Sequence, residues 1–113
     1  MISVVIPLYN KAQSVRKTLD SVLAQTCKDF EIVIVDDGST DESADVAEAF
    51  LQASRLSPFA FRLIRKSNGG ESSARNRGIK EAKYRYIAFL DADDYWEPTY
   101  LETQAKMIQD FPN

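Results

Sequence analysis

Two short acidic turns carry the most distinctive chemistry in this sequence. Asp91-Ala92-Asp93-Asp94 follows the apolar run Ile87-Ala88-Phe89-Leu90, where a backbone leaving a sheet lets its side chains splay into a cleft. Three carboxylates within four residues repel one another. At about 4 Å and an effective dielectric near 20, each unit pair costs about 4 kcal/mol, so a divalent cation or a network of donors must hold them. Asp94 alone could equally cap a helix beginning near Pro98, but a cap needs one oxygen, whereas Asp91 and Asp93 offer two carboxylates at a strand end. The second turn is Asp36-Asp37-Gly38-Ser39. Asp36 could simply support the helix that follows, while a carboxylate fixed beside that loop could accept an N–H from a nucleobase.

Other groups point the same way. Tyr9 offers an aromatic face for a base to stack on, or a ring for the core. Asn68-Gly69-Gly70 precedes a helix beginning near Ser72, whose exposed backbone donors form a natural anion site, with Arg75 one turn in. Histidine is absent and Cys27 is the sole cysteine, which excludes Ser-His-Asp and Cys-His catalysis, imidazole or thiolate zinc sites and an internal disulfide. Metal chemistry must therefore use carboxylates, which favours magnesium or manganese. The four glycines give neither G-x-G-x-x-G nor G-x-x-x-x-G-K-[ST], so dinucleotide-fold oxidoreductases and P-loop enzymes are disfavoured.

The elements that position these groups follow from hydrophobic periodicity. Residues 2–8 form an apolar, β-branched run that reads as a strand buried on both faces, followed by a helical stripe at Val15, Leu19, Val22 and Leu23. Residues 30–35 read as a second strand, and Ser39-Thr40-Asp41-Glu42 has the capping-box pattern for a helix with Ala44, Ala47, Phe50 and Leu51 inward. A third strand is expected over 59–65, then a helix over 72–82 with a small-residue face of Ala74, Gly78 and Ala82. A fourth strand over 86–90 leads to a last helix with Pro98 in its first turn, a stripe of Leu101, Ala105 and Ile108, and a stop at Phe111-Pro112-Asn113.

Strand alternating with helix four times implies an α/β fold, a Rossmann-like doubly wound and mainly parallel sheet of about four βα units. In such sheets ligands bind outside the carboxyl ends of the strands, where Tyr9, Asn10, Asp36, Asp37, Asn68, Asp91, Asp93 and Asp94 gather.

With 113 residues, 27% charged and 44% hydrophobic, the chain describes one globular domain, 1–113, that buries roughly two thirds of its unfolded surface. A net charge of -3 makes nucleic acid a poor partner. Charge is segregated along the chain: residues 62–85 hold 8 basic and 2 acidic side chains between two acidic segments, so both signs could face one ligand, or Lys80, Lys83 and Arg85 could line a solvated helix face. Apolar runs fall far short of the ~20 residues of a membrane span, and the start lacks a secretory pattern, so the expected location is cytoplasmic.

Four stretches together resemble the N-terminal half of a family 2 glycosyltransferase of the GT-A fold. They are Val4-Val5-Ile6-Pro7-Leu8-Tyr9-Asn10; Ile34-Val35-Asp36-Asp37-Gly38-Ser39-Thr40-Asp41; Asn68-Gly69-Gly70 with Ala74-Arg75-Asn76-Arg77-Gly78; and Phe89-Leu90-Asp91-Ala92-Asp93-Asp94. The resemblance implies that the domain binds a nucleotide sugar, with a UDP-sugar expected, and belongs to a longer inverting transferase of polysaccharide biosynthesis. Pro7 and Tyr9 would line the base pocket, Asp37 would bond the base, and Arg75 would lie near the phosphates, with Asn68 counted among the substrate-binding residues. Asp91 and Asp93 would form the D-x-D motif, Asp91 nearer the ribose and Asp93 on a Mn2+ or Mg2+ ion. The acceptor, a saccharide or lipid-linked saccharide, and the catalytic base are expected from a second half beyond Asn113, so this chain alone is not expected to turn over efficiently.

Two rival readings share features, the first of them enzymatic. A haloacid-dehalogenase-type phosphatase would use Asp91 as nucleophile, but Tyr95 stands where a small hydroxyl residue is usual and 19 residues after Asp94 are too few for its other motifs. A signalling receiver domain has the length, but its acidic pair should follow the first strand, which here ends in Leu8-Tyr9-Asn10. A non-catalytic nucleotide-binding module is the remaining alternative.

Overall fold

A computed structural model describes residues 1–54, 56 and 60–110. The chain runs β1 (Ile2–Leu8), α1 (Val15–Leu23), β2 (Phe30–Asp37), α2 (Ser43–Ala53), β3 (Phe61–Lys66), α3 (Glu71–Glu81), β4 (Tyr86–Phe89) and α4 (Tyr100–Asp110). The expected start of the third strand at Phe59 and the stop at Phe111-Pro112-Asn113 lie outside the described residues. Every strand pair is parallel, and the sheet order is β3-β2-β1-β4. This is the doubly wound α/β architecture that the alternation of periods predicts.

Side-chain alternation sorts the core into two layers. Val4, Ile6 and Leu8 of β1 join Ile32 and Ile34 of β2 against Val15, Leu19 and Val22 of α1, Ala47 and Leu51 of α2, and Leu101 of α4. Val5, Val33 and Val35 point the other way, onto Ala74 of α3. The connections explain this asymmetry. From β1 to β3 the chain steps one way across the sheet, and right-handed crossovers put α1 and α2 on one face; the return to β4 reverses direction and puts α3 on the other. The order therefore reverses between β1 and β4, which opens a crevice at their carboxyl ends.

Close packing of α3 depends on Gly78. A Cβ there would overlap Val5 Cγ1, so the glycine accepts a helix-propensity cost of about 1 kcal/mol to let α3 lie on β1.

The expected capping box does not form. Helix α2 begins at Ser43, and Ser39 Oγ instead donates to Asp36 Oδ1 at 2.5 Å and accepts the Asn10 amide at 2.9 Å. The cause is the loop after β1. Asn10 takes a left-handed φ of 50°, which a short polar side chain tolerates, and its Oδ1 accepts the Thr40 amide at 2.8 Å. The Lys11 amide donates to Ser43 Oγ at 2.7 Å. Asp41 takes over the local capping role: its Oδ1 accepts the Ser43 amide at 2.9 Å, and the Ser43 hydroxyl bond holds its carboxyl below the ordinary value. Helix α4 starts at Tyr100, two residues past Pro98, whose carbonyl accepts the Thr26 amide at 2.9 Å.

Candidate functional site

A cleft of about 430 Å³ opens at the carboxyl edge of the sheet. Its wall from β1 and the loop after it is Pro7, Leu8, Tyr9 and Lys11; β2 contributes Asp37; the loop into α3 contributes Asn68 and Gly70, and α3 itself Glu71 and Ala74; the turn after β4 contributes Asp91, Ala92 and Asp93. Six of the seven binding residues expected from sequence therefore share one cavity. Tyr9 is 46% exposed, so its ring is available to a ligand and is not part of the core.

Asp37 is the most constrained group in the cleft. Strand register sets it opposite Lys66, whose Nζ donates to Oδ1 at 2.7 Å. The Gly69 amide donates to Oδ1 and the Gly70 amide to Oδ2, each at 2.9 Å, and Asn68 Nδ2 approaches Oδ2 at 3.4 Å and donates to the Asp37 carbonyl at 3.0 Å. Burial raises the carboxyl pKa, but the Lys66, Gly69 and Gly70 hydrogen bonds outweigh it and hold the group below its ordinary value. The amides before α3, expected to await an external anion, already serve this one. A carboxylate with 5% side-chain exposure must be neutralised, and Lys66 together with the amides of the helix N-terminus does so. Gly38 and Gly70, at φ 72° and 97°, make the turns possible; a Cβ on Gly38 would lie 2.7 Å from the Asn68 amide nitrogen.

The turn at 91–94 has a fixed backbone and loose side chains. The Asp94 amide donates to the Asp91 carbonyl at 3.0 Å, Ser14 Oγ donates to the Ala92 carbonyl at 2.8 Å, and Thr18 Oγ1 sits between the Ala92 and Asp94 carbonyls at 2.9 and 2.5 Å. Helix α1 thus anchors the turn. Asp91, 48% exposed, meets Arg75 Nη2 at 3.4 Å, and Asp93, 55% exposed, meets Lys11 Nζ at 3.5 Å. Asp94 faces away from the cleft, into a neighbouring hollow of about 230 Å³ with Arg75, Phe89, Tyr95 and Trp96. The mutual repulsion expected of three clustered carboxylates is relieved by divergence and by one protein cation each for Asp91 and Asp93.

Among the described residues no three His, Cys, Asp or Glu side chains converge as a ready cage for a metal. The pair Asp91 and Asp93 nevertheless suits Mg2+ or Mn2+: both are hard oxygen donors, half-solvated, on a rigid turn. Such ions commonly bind one or two carboxylates plus ligand phosphates and water.

Arg75, expected near phosphates, lines the adjacent hollow and is tied to Glu71 at 2.7 Å as well as to Asp91. Sequence reasoning missed Lys66 and Lys11. Lys66 is signalled only by strand register, and Lys11 only by its place directly after the strand-end Tyr9-Asn10. The basic segment does not form a patch. Arg62 pairs with Glu31 and Glu81, Arg65 with Asp45 and Glu48, Lys66 with Asp37, Arg75 with Glu71 and Asp91, and Arg77 with Glu81; Lys80 is exposed on α3 as a solvated helix face requires, whereas Lys83 and Arg85, also exposed, lie beyond the end of that helix.

The profile of the family described as Glycosyl transferase family 2 matches residues 3–113. Glycosyltransferase GlyA of Streptococcus pneumoniae is 39% identical over 110 residues, covering 97% of this chain and 15% of that protein. The uncharacterized glycosyltransferase YibD of Escherichia coli is 43% identical over 106 residues, covering 94% and 30%. Among solved structures, S. aureus TarS 1-349 in complex with UDP-GlcNAc superposes with a TM-score of 0.85 at 30% identity, over 96% of this chain and 31% of that one. The mannosyltransferase PcManGT of Pyrobaculum calidifontis, in complex with GDP-Man and Mn2+, gives 0.88 at 25% identity, over 97% and 32%. The chain thus spans under a third of the length of each of these proteins.

Proposed function

This chain belongs to glycosyl transferase family 2, and from that premise we propose that its cleft binds the nucleoside diphosphate of a sugar donor, with UDP as the preferred nucleotide. The observation that carries the reading is the convergence of Tyr9, Asp37, Asn68, Asp91 and Asp93 from four strands on one cleft at the point where the strand order reverses. Complexes of the similar TarS with UDP-GlcNAc and of PcManGT with GDP-Man support a nucleotide-sugar ligand.

In this reading the base stacks on Tyr9 beside Pro7 and approaches Asp37, taking the place of the long Asn68 contact on Oδ2. The ribose lies toward Asp91, and Asp93 would hold a Mn2+ or Mg2+ ion whose charge would offset that of the diphosphate. Asn68 lines the phosphate side of the cleft, and Arg75 orients Asp91 from the rim. Membership of family 2 displaces the phosphatase alternative.

An inverting transfer to a saccharide or lipid-linked acceptor needs a base on the acceptor side. The cleft carboxylates belong to the donor side, Glu71 is tied to Arg75, and Glu97 and Glu102 lie outside the cleft. We therefore assign this chain donor binding within polysaccharide biosynthesis, with efficient transfer requiring a longer polypeptide. No described helix is long and apolar enough to cross a membrane.

Titration of UDP by calorimetry, with Mn2+ and then with excess chelator, tests the binding claim. Tight binding that weakens on chelation is expected; equal affinity in both, or tighter binding of AMP than of UDP, refutes it.

A further inference from the structure

Four carboxylates line the cleft, Asp37, Glu71, Asp91 and Asp93, against a single cationic side chain among the described residues, Lys11. Three of the four are answered from outside the cleft wall: Lys66 holds Asp37, and Arg75 holds both Glu71 and Asp91. Only Asp93 takes its cation from within, from Lys11 Nζ at 3.5 Å. A cleft with this balance repels a diphosphate until its own charge is rearranged.

Lys11 is built for such a rearrangement. Its backbone is clamped at both ends: its amide donates to Ser43 Oγ at 2.7 Å, and its carbonyl accepts the Ser14 and Val15 amides at 3.1 and 2.9 Å. Its side chain is 44% exposed, and its one ion pair among the described residues is long and solvent-facing, the kind that contributes little stability. A fixed root and a loosely held ammonium can change partners without moving the fold.

We infer that Lys11 is an exchange residue: it occupies Asp93 in the free protein and transfers to the ligand's phosphates when a divalent cation takes Asp93. The inference rests on the nucleotide reading above and adds a role for a residue outside both acidic turns. One side chain then has two opposed effects. It competes with the metal when no nucleotide is present, and it assists the nucleotide when the metal is bound.

The test compares the chain with Lys11→Met and Lys11→Arg, using three probes: Mn2+ alone followed by water proton relaxation, uridine, and UDP with saturating Mn2+. For Lys11→Met, Mn2+ alone should bind about 2- to 5-fold tighter, the effect of removing an exposed ion pair. UDP with Mn2+ should bind about 10-fold more weakly, as expected for one lost charge-assisted contact. Uridine affinity should not change, and Lys11→Arg should restore UDP binding to within about 3-fold, since it keeps the charge. An unchanged UDP affinity, or metal and UDP affinities moving in the same direction, overturns the exchange while leaving the nucleotide reading intact. Equal losses for uridine and UDP overturn the phosphate assignment. If the unsubstituted chain binds neither uridine nor UDP, the nucleotide reading itself falls, and the inference with it.

Discussion

Asp37 and Asp93 end two parallel strand units, line the same cleft, and live in opposite conditions. Asp37 is 5% exposed and receives a lysine, two backbone amides and an approach from Asn68; Asp93 is 55% exposed and has one lysine at 3.5 Å. Glu31, at the other end of β2, matches Asp37: it is buried and takes Ser3 Oγ at 2.6 Å, the Lys83 amide at 2.7 Å and Arg62 at 3.8 Å, at the opposite edge of the sheet from the cleft. Burial with full satisfaction is therefore this fold's way of tying loops and α3 to the sheet. A half-solvated carboxylate on a rigid turn is different. It has not committed its lone pairs, and a ligand can claim them.

The largest expected effect is on the committed side. Asp37→Ala leaves the Lys66 ammonium, 15% exposed, with the Ser67 carbonyl but no counter-charge and releases the 66–70 loop, so it should cost about 3 kcal/mol in urea unfolding and weaken uridine and UDP together. A loss under about 1 kcal/mol would break the comparison, because Asp37 would then be as free as Asp93.

Gly78→Ala probes the same side from a distance. Overpacking against Val5 costs about 1–3 kcal/mol, partly offset by about 1 kcal/mol of helix propensity. Displacing α3 should reduce base affinity through the Gly69 and Gly70 amides while Mn2+ dependence persists, because α1 holds the 91–94 turn. Loss of Mn2+ dependence would show that the two turns are mechanically one.

Proton linkage sharpens the contrast further. The folded-state pKa of Asp37 lies below its ordinary 3.8, so its contribution to stability is complete above that value and disappears as pH falls through the lowered one. The stability gap between the native chain and Asp37→Asn should be constant at neutral pH and close progressively below 3.8. A gap that opens on acidification contradicts the depressed pKa.

The smallest stability effect belongs to the exposed turn. Asp93→Asn should change unfolding free energy by less than about 0.5 kcal/mol yet abolish Mn2+ dependence, whereas Asp94→Asn should alter neither. Because Asp94 faces the neighbouring hollow, an equal metal effect for Asp94→Asn would mean that the pair is Asp93 and Asp94, not Asp91 and Asp93.

The pattern of β-branched runs and helical stripes determined the four βα units, their parallel pairing and the strand-end residues that meet in the cleft. These features are local: side-chain period and turn chemistry dictate which face of a segment is buried and where it stops. The same local logic failed at Ser39, because its hydroxyl is claimed by Asp36 and by an amide 29 residues away, in the loop after β1. It failed again for the basic segment, which the chain lists as a run of like charge and the fold distributes among carboxylates of other elements. Which carboxylate would be saturated and which left open was settled only by strand register and helix docking. Register set Lys66 beside Asp37, α3 docking brought two amides to it, and the clasp between the loops after β1 and β2 held Lys11 at Asp93. Partners separated by 29 to 82 positions leave no periodic trace in the chain, because the hydrogen bonds and ion pairs that decide a carboxylate's fate depend on distance in space.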